Sequence, residues 1–140
     1  MNKQTIVEQD WLSLIPHRSP FVQVGKLISA SEDHFVTEFE IPEGNLLTRD
    51  GIFQESGLLE NIAQSAALGF GFNGMKNGQE PKIGYIGAIS RVNVLGLPRV
   101  GDRITTHVRV THRLEPVVMI RGEVYHEDRK LLEGEIKLVI

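Results

Sequence analysis

Phe53-Gln54-Glu55-Ser56-Gly57-Leu58-Leu59-Glu60-Asn61-Ile62-Ala63-Gln64-Ser65-Ala66-Ala67-Leu68-Gly69-Phe70-Gly71-Phe72 is the stretch whose reading decides the fold. It contains no proline, and Leu59, Ile62, Ala63, Ala66 and Phe70 recur at helical spacing, which predicts one long helix over about 53–72. The segment is apolar nearly all the way round, the pattern of a buried helix. Its small residues, Gly57, Ala63, Ser65, Ala66, Ala67 and Gly69, would let a sheet approach closely, and Gly69, Gly71 and Gly74 weaken the helix toward its end.

On both sides of that helix the chain alternates with period two, the pattern of half-buried strands. Upstream, 21–29 reads as a strand, and Phe35, Thr37, Phe39 and Ile41 alternate with Val36, Glu38 and Glu40. Downstream, strands are predicted from Ile83 to about Leu95, over 103–110, over 117–125 and from Leu132 to Ile140. The last three are joined by short turns and read as an antiparallel meander. A short amphipathic helix over 7–15 precedes Pro16 and Pro20, which bracket an irregular turn. One helix cannot cover a six-stranded sheet on both faces. The predicted architecture is therefore α+β, an antiparallel six-stranded sheet wrapped around the central helix.

The 140 residues suit a single domain, 1–140. Hydrophobic residues make up 41% and charged residues 24%, the balance of a folded globular chain. The net charge of −3 gives no support to a nucleic-acid binder, which carries a basic face. The absence of cysteine removes disulfides, thiolate nucleophiles and cysteine-ligated metals. The stretch from Met1 to Asp10 is polar, and no run approaches the roughly 20 apolar residues of a membrane span, so a cytoplasmic location is expected.

Glu60 is the first candidate for chemistry. A carboxyl group on the most apolar helix suits proton transfer, and Gln64, one turn later, lies within hydrogen-bonding reach of it. The plainer reading is a helix carboxylate facing a solvated groove. His17 sits in the Pro16-His17-Arg18-Ser19-Pro20 turn, where two prolines restrict the backbone. It could equally cap a helix end or bond a backbone carbonyl. Arg18 could pair with a carboxylate or meet a phosphate. Tyr85, Phe70, Phe72 and Phe53 could line a channel or simply fill the core. Near the start of the helix, at Gly51 and Gly57, free N–H groups could polarise a carbonyl. His34, His107, His112 and His126 show no metal-ligand spacing, so no metal is expected. Glu55-Ser56-Gly57-Leu58 lacks a nucleophile elbow, and the glycines at 69, 71 and 74 do not form a dinucleotide fingerprint.

Four of these segments, in order, resemble the hotdog-fold 3-hydroxyacyl-[acyl-carrier-protein] dehydratases. Leu14-Ile15-Pro16-His17-Arg18-Ser19-Pro20-Phe21 is similar to the family's L-P-H-R-x-P-F opening. Glu60-Asn61-Ile62-Ala63-Gln64 resembles its E-A-M-A-Q helix segment. Tyr85-Ile86-Gly87-Ala88-Ile89, followed by Arg91-Val92, resembles its Y/F-x-x-G-I-x-x-V strand, and Val100-Gly101-Asp102 stands where the family has P-G-D. One departure matters. The family's catalytic histidine, in a G-H-F-P-G stretch, would fall near Asn45-Leu46-Leu47-Thr48-Arg49, where this chain has none. In this the chain resembles the branch found in aryl-polyene-type gene clusters.

The resemblance implies a hotdog fold and a homodimer or a multiple of it, with acyl tunnels at the dimer interface. It implies a thioester substrate on acyl carrier protein or coenzyme A, and no cofactor. The expected reaction is dehydration of a 3-hydroxyacyl chain. Glu60 would serve the hydroxyl, and His17 would replace the missing histidine as base. Gln64, Gly57, Tyr85, Phe53 and Arg18 would form the binding site. Two alternatives stand beside it. A hotdog thioesterase could work with one carboxylate. A non-catalytic acyl-binding subunit could complete a heterodimer with an active paralogous hotdog partner.

Overall fold

The computed structural model describes residues 10–80 and 84–140 and, as backbone, Gln4–Thr5. In chain order the elements are β1 (Gln4–Thr5), a 3-10 turn (Trp11–Leu14), β2 (Lys26–Ala30), β3 (His34–Glu40), β4 (Thr48–Arg49), β5 (Ile52–Phe53), α1 (Glu55–Lys76), β6 (Tyr85–Val94), β7 (Arg103–Leu114), β8 (Val117–His126) and β9 (Arg129–Val139). The predicted strand start at Ile83 and the 7–9 part of the predicted first helix lie outside the described residues.

The main sheet runs β1-β2-β3-β7-β8-β9-β6 with every neighbouring pair antiparallel. It contains the six expected strands, and the two-residue β1 extends one edge. β7, β8 and β9 form the expected meander, whereas β6 crosses over to the far edge beside β9. Thr48–Arg49 and Ile52–Phe53 make a separate small hairpin. Its turn residues, Asp50 and Gly51, both adopt positive φ (52° and 77°), the geometry that matches the twist of paired strands.

The central helix is longer than its pattern predicts. It starts at Glu55, because Phe53 pairs with Thr48 in the hairpin and Gln54 is extended. It continues to Lys76 through Gly71 and Gly74, because tertiary contacts outweigh helix propensity there. Gly71 lies directly against the Leu14 carbonyl, and Asn73 Nδ2 donates to Ser31 O at 2.9 Å. The helix stops in a Schellman motif. Gln79 N–H donates to Gly74 O, Gly78 N–H donates to Met75 O, and Gly78 takes the left-handed conformation.

Between 57 and 74 no residue of α1 is fully exposed. Leu58, Ile62, Ala66 and Leu68 are wholly buried against the inward faces of β3, β7, β8 and β9, which supply Phe35, Ile104, Val108, Ile120, Val124 and Ile136. Two glycines set the spacing. Gly69 on the helix lies flat against the Phe35 ring, and Gly122 on β8 receives the Ile62 side chain. The expected first helix reduces to a single 3-10 turn that ends before Pro16. The strand expected over 21–29 begins only at Lys26, because the peptide of Gln23 bonds to helix side chains instead of to a strand.

Gly122→Ala should destabilise the fold by about 1–3 kcal/mol, because the new methyl overlaps Ile62 in a filled core. Urea unfolding should show a lower midpoint at unchanged slope.

Candidate active site

The one side of α1 that the sheet leaves half covered carries Glu60, Ala63, Ala67 and Phe70, spaced three and four residues apart. This stripe walls a cavity of about 1020 Å³. His17 and Glu60 both line it, as do Tyr85 and Ile86 from β6 and Val118 and Leu138 from β8 and β9. The cavity follows the helix from Glu60 to Asn77, about 25 Å at helical rise.

Glu60 is half-buried, and its Oε2 accepts a hydrogen bond from Gln64 Nε2 at 2.8 Å. Gln64 is itself buried. Its Oε1 accepts from Gln23 N–H at 2.6 Å, and its Nε2 also donates to Phe21 O at 2.9 Å. One side chain therefore joins the Glu60 carboxyl to the chain that leads out of the His17 turn.

His17 is half-buried, and its Nδ1 is buried with no hydrogen-bond partner among the described residues. Burial lowers its pKa from the usual 6.5. Glu60 opposes that shift and the Arg18 guanidinium adds to it. The net effect favours a neutral imidazole, the form that can accept a proton.

Three of the other predicted site residues, Arg18, Phe53 and Gly57, do not line the cavity. Arg18 does not reach the cavity wall. Its Nη1 donates to the carbonyls of Leu12, Ile15 and His17 (2.6–2.9 Å), so the guanidinium clamps the turn that presents His17. Phe53 is wholly buried, beside the Phe39 ring and under Gly57, and packs the core instead of lining this cavity. Gly57 cannot offer a free N–H, because that group already donates to Gln54 O at 2.9 Å. Of the remaining aromatic residues, Phe70 and Tyr85 line the cavity and Phe72 is in the core.

Three residues around the site were not picked out from the sequence: Gln23, Asn61 and Thr106, all buried and all hydrogen-bonded near Glu60. A signal was present. Thr106 occupies an inward position of a period-two strand, and Asn61 is a polar residue in the most apolar helix. Among the described residues no group of three or more His, Asp or Glu side chains is gathered as a metal site requires. No helix among the described residues is long and apolar enough to cross a membrane.

The family model for ApeP-like proteins, described as ApeP dehydratase, matches residues 9–139. The chain belongs to the ApeP-like dehydratase family. It is a dehydratase-like lyase by that membership. A curated relative, the 3-hydroxyacyl-[acyl-carrier-protein] dehydratase FabZ of Sulfurimonas denitrificans, is 24% identical over 141 residues, covering 91% of each chain. Among solved structures, the dehydratase heterocomplex ApeI:P from Xenorhabdus doucetiae superposes with a TM-score of 0.86 at 17% identity, over 95% of this chain and 91% of that one. A hypothetical thioesterase from Streptococcus pneumoniae, solved with coenzyme A, gives 0.63 at 15% identity, over 81% and 86%. Both structures share the hotdog fold with this ApeP-like chain.

The lowered proton affinity of His17 has a consequence for stability. The unfolded chain binds a proton at this position near pH 6.5, whereas the folded chain binds it only at lower pH. The stability His17 contributes is therefore present above about pH 6.5 and is lost as pH falls toward the folded value. His17→Gln should show a smaller drop in melting temperature between about pH 7.5 and 5.5 than the unsubstituted protein. An equal drop in the two proteins would contradict this account.

Proposed function

We propose that this ApeP-like protein dehydrates a 3-hydroxyacyl chain carried as a thioester on acyl carrier protein, with His17 as base and Glu60 as acid. The observation that carries the reading is the presence of both side chains on the wall of one cavity. The neutral His17 imidazole takes a proton from the carbon next to the thioester carbonyl. The electron pair left behind forms the new double bond, the bond from C3 to the hydroxyl oxygen breaks, and Glu60 supplies the proton with which that oxygen leaves as water. Such a group contributes about 10²–10⁴-fold to rate. The thioester oxygen gains negative charge during proton removal and needs a donor other than the Gly57 N–H, which is already engaged. A thioesterase would need an activated water and one carboxylate. A cavity wall that carries both a candidate base and a candidate acid favours dehydration.

The minimal unit in this reading is a dimer. β6 is ten residues long and exposed along most of its length, and it pairs only with β9 among the described strands. Tyr85 (67% exposed), Ile86, Ile89 and Val94 are all exposed on it. A long, apolar, unpaired edge invites a second strand. Tyr85 and Ile86 also line the cavity, so a chain docked here would lie beside the site. A second copy is the simplest occupant. A paralogous hotdog subunit is the other, and it is favoured by the likeness to a dehydratase heterocomplex and by the loop at 45–49 that lacks the family histidine. The protein is expected to work in the cytoplasm.

Glu60→Gln should lower turnover of a 3-hydroxyacyl-carrier substrate by about 10²–10⁴-fold while leaving the unfolding midpoint close to that of the unsubstituted protein. His17→Ala should do likewise. Residual activity per folded molecule that survives His17→Ala would remove it as base. Light scattering should give at least twice the 15.7 kDa chain mass, and a clean monomer would reject self-pairing at β6. The assay should be run alone and with a paralogous hotdog subunit. Activity that appears only in the mixture would assign the chain to a heterodimer.

A further inference from the structure

Asn61 is wholly buried on α1, one residue past Glu60. The similar segment of the dehydratases, E-A-M-A-Q, has alanine at this position. Leaving a buried amide unbonded costs about 1–3 kcal/mol, so its partners indicate its role. Asn61 Nδ2 donates to the carbonyl of Gln23 at 2.8 Å. That carbonyl can only accept, so Asn61 Oδ1 must point the other way, where Thr106 Oγ1 donates to it at 2.5 Å. Gln23 N–H in turn donates to Gln64 Oε1 at 2.6 Å. An N–H can only donate, so the Gln64 amide cannot flip without setting donor against donor. Its two Nε2 protons are committed to Phe21 O and to Glu60 Oε2.

The donors run one way, from Thr106 to Asn61 to Gln23 to Gln64 to Glu60; at Gln23 the accepting C=O and the donating N–H belong to successive peptide groups, so that link acts by fixing the position of the main chain. The series ends on one oxygen of the carboxyl. Oε2 is occupied as an acceptor, while Oε1 accepts no hydrogen bond among the described residues. The same bonds hold 21–23 against the helix, and that segment continues directly from the His17 turn. Asn45 Nδ2 donates to Gln23 Oε1 at 2.8 Å, which ties the loop lacking the family histidine to the same residue.

We propose that Asn61, anchored on Thr106, is a positioning residue: it holds Gln23 and, through it, Gln64, so that Glu60 is fixed with Oε1 as the oxygen that carries and releases the proton. The inference rests on the reading of Glu60 as the acid.

Two variants of the full-length assembly test it. Asn61→Leu removes both bonds at similar volume. Thr106→Val keeps the shape and removes only the anchor, so it serves if Asn61→Leu does not fold. Each should lower kcat by about 10–100-fold with KM little changed, the size of effect that misplacing a reacting group produces. In a Glu60→Gln background the same changes should lower the residual rate by less than about twofold, because the group they act through is gone. Losses that multiply in the two backgrounds would mean a merely structural role and would overturn the proposal.

A second readout does not depend on activity. The Gln64 side-chain NH₂, followed by ¹⁵N NMR, should exchange slowly in the unsubstituted protein and at least tenfold faster in Thr106→Val. Unchanged exchange would overturn the proposal. An unsubstituted protein that dehydrates no thioester, alone or with a paralogous subunit, but whose Gln64 exchange responds to Thr106→Val would keep the positioning chain and discard the enzymatic reading.

Discussion

A helix buried on almost every side must satisfy its polar side chains inside the protein. That constraint organises the rest of the molecule. Asn61, Gln64 and Ser65 lie on the covered part of α1, and none can reach water. Ser65 is bonded to Thr37 of β3 at 2.7 Å, and Asn61 to Thr106 of β7. Their other bonds among the described residues are to main-chain groups of Phe21 and Gln23 and, from Gln64, to the Glu60 carboxyl. The segment that a strand pattern would have claimed is drawn onto the helix instead, and it brings the His17 turn to the cavity. The catalytic proposal thus depends on a packing requirement that has nothing to do with catalysis. Each of these bonds adds only about 0.5–1.5 kcal/mol of net stability, and leaving any one of them unmade costs more.

The two faces of the sheet contribute differently. The inner face is close-packed, and at Gly69 and Gly122 helix and sheet approach until no side chain fits between them. The outer face is a ladder of charges. Arg121 bonds Glu133 at 2.9 Å, and Lys130 bridges Glu123 and Glu133, so the hydrogen bond from Lys130 holds both carboxyl groups below their ordinary range. Exposed pairs of this kind are worth about 0–1 kcal/mol each, so they keep the face soluble and leave the cohesion of the fold to the core. His34 Nε2 and His107 Nδ1 meet at 3.3 Å on this outer face, across the sheet from the cavity, and take no part in the site.

The cavity exists because one stripe of α1 is made of small or half-covered residues where the sheet does not close over it. Ala63 and Ala67 leave room that larger side chains would fill, and β6 is the last described strand on its side of the sheet, with Tyr85 and Ile86 on the cavity wall. Both features leave apolar surface unfinished on the same side of the molecule. An acyl chain and a second subunit would each cover such a surface.

Periodicity in the sequence was enough to determine the one long helix, the antiparallel meander and the wrapped arrangement, because burial of an all-round apolar helix leaves a sheet few other ways to pack. The residue type and setting of Glu60, with Gln64 one turn away, marked the candidate acid, since an i, i+4 contact is a local property of a helix. What the tertiary structure alone decided is non-local. Arg18 turned from a ligand-binding candidate into a clamp because three carbonyls of its own turn surround it. Phe53 went to the core and the Gly57 N–H to Gln54, because the small hairpin at 48–53 reorganised the entry to the helix. Asn61, Gln23 and Thr106 stand 38 to 83 residues apart in the chain. Only the approach of helix to sheet brings them into one series of bonds, and no spacing rule in a linear sequence encodes which buried amide will face which carbonyl.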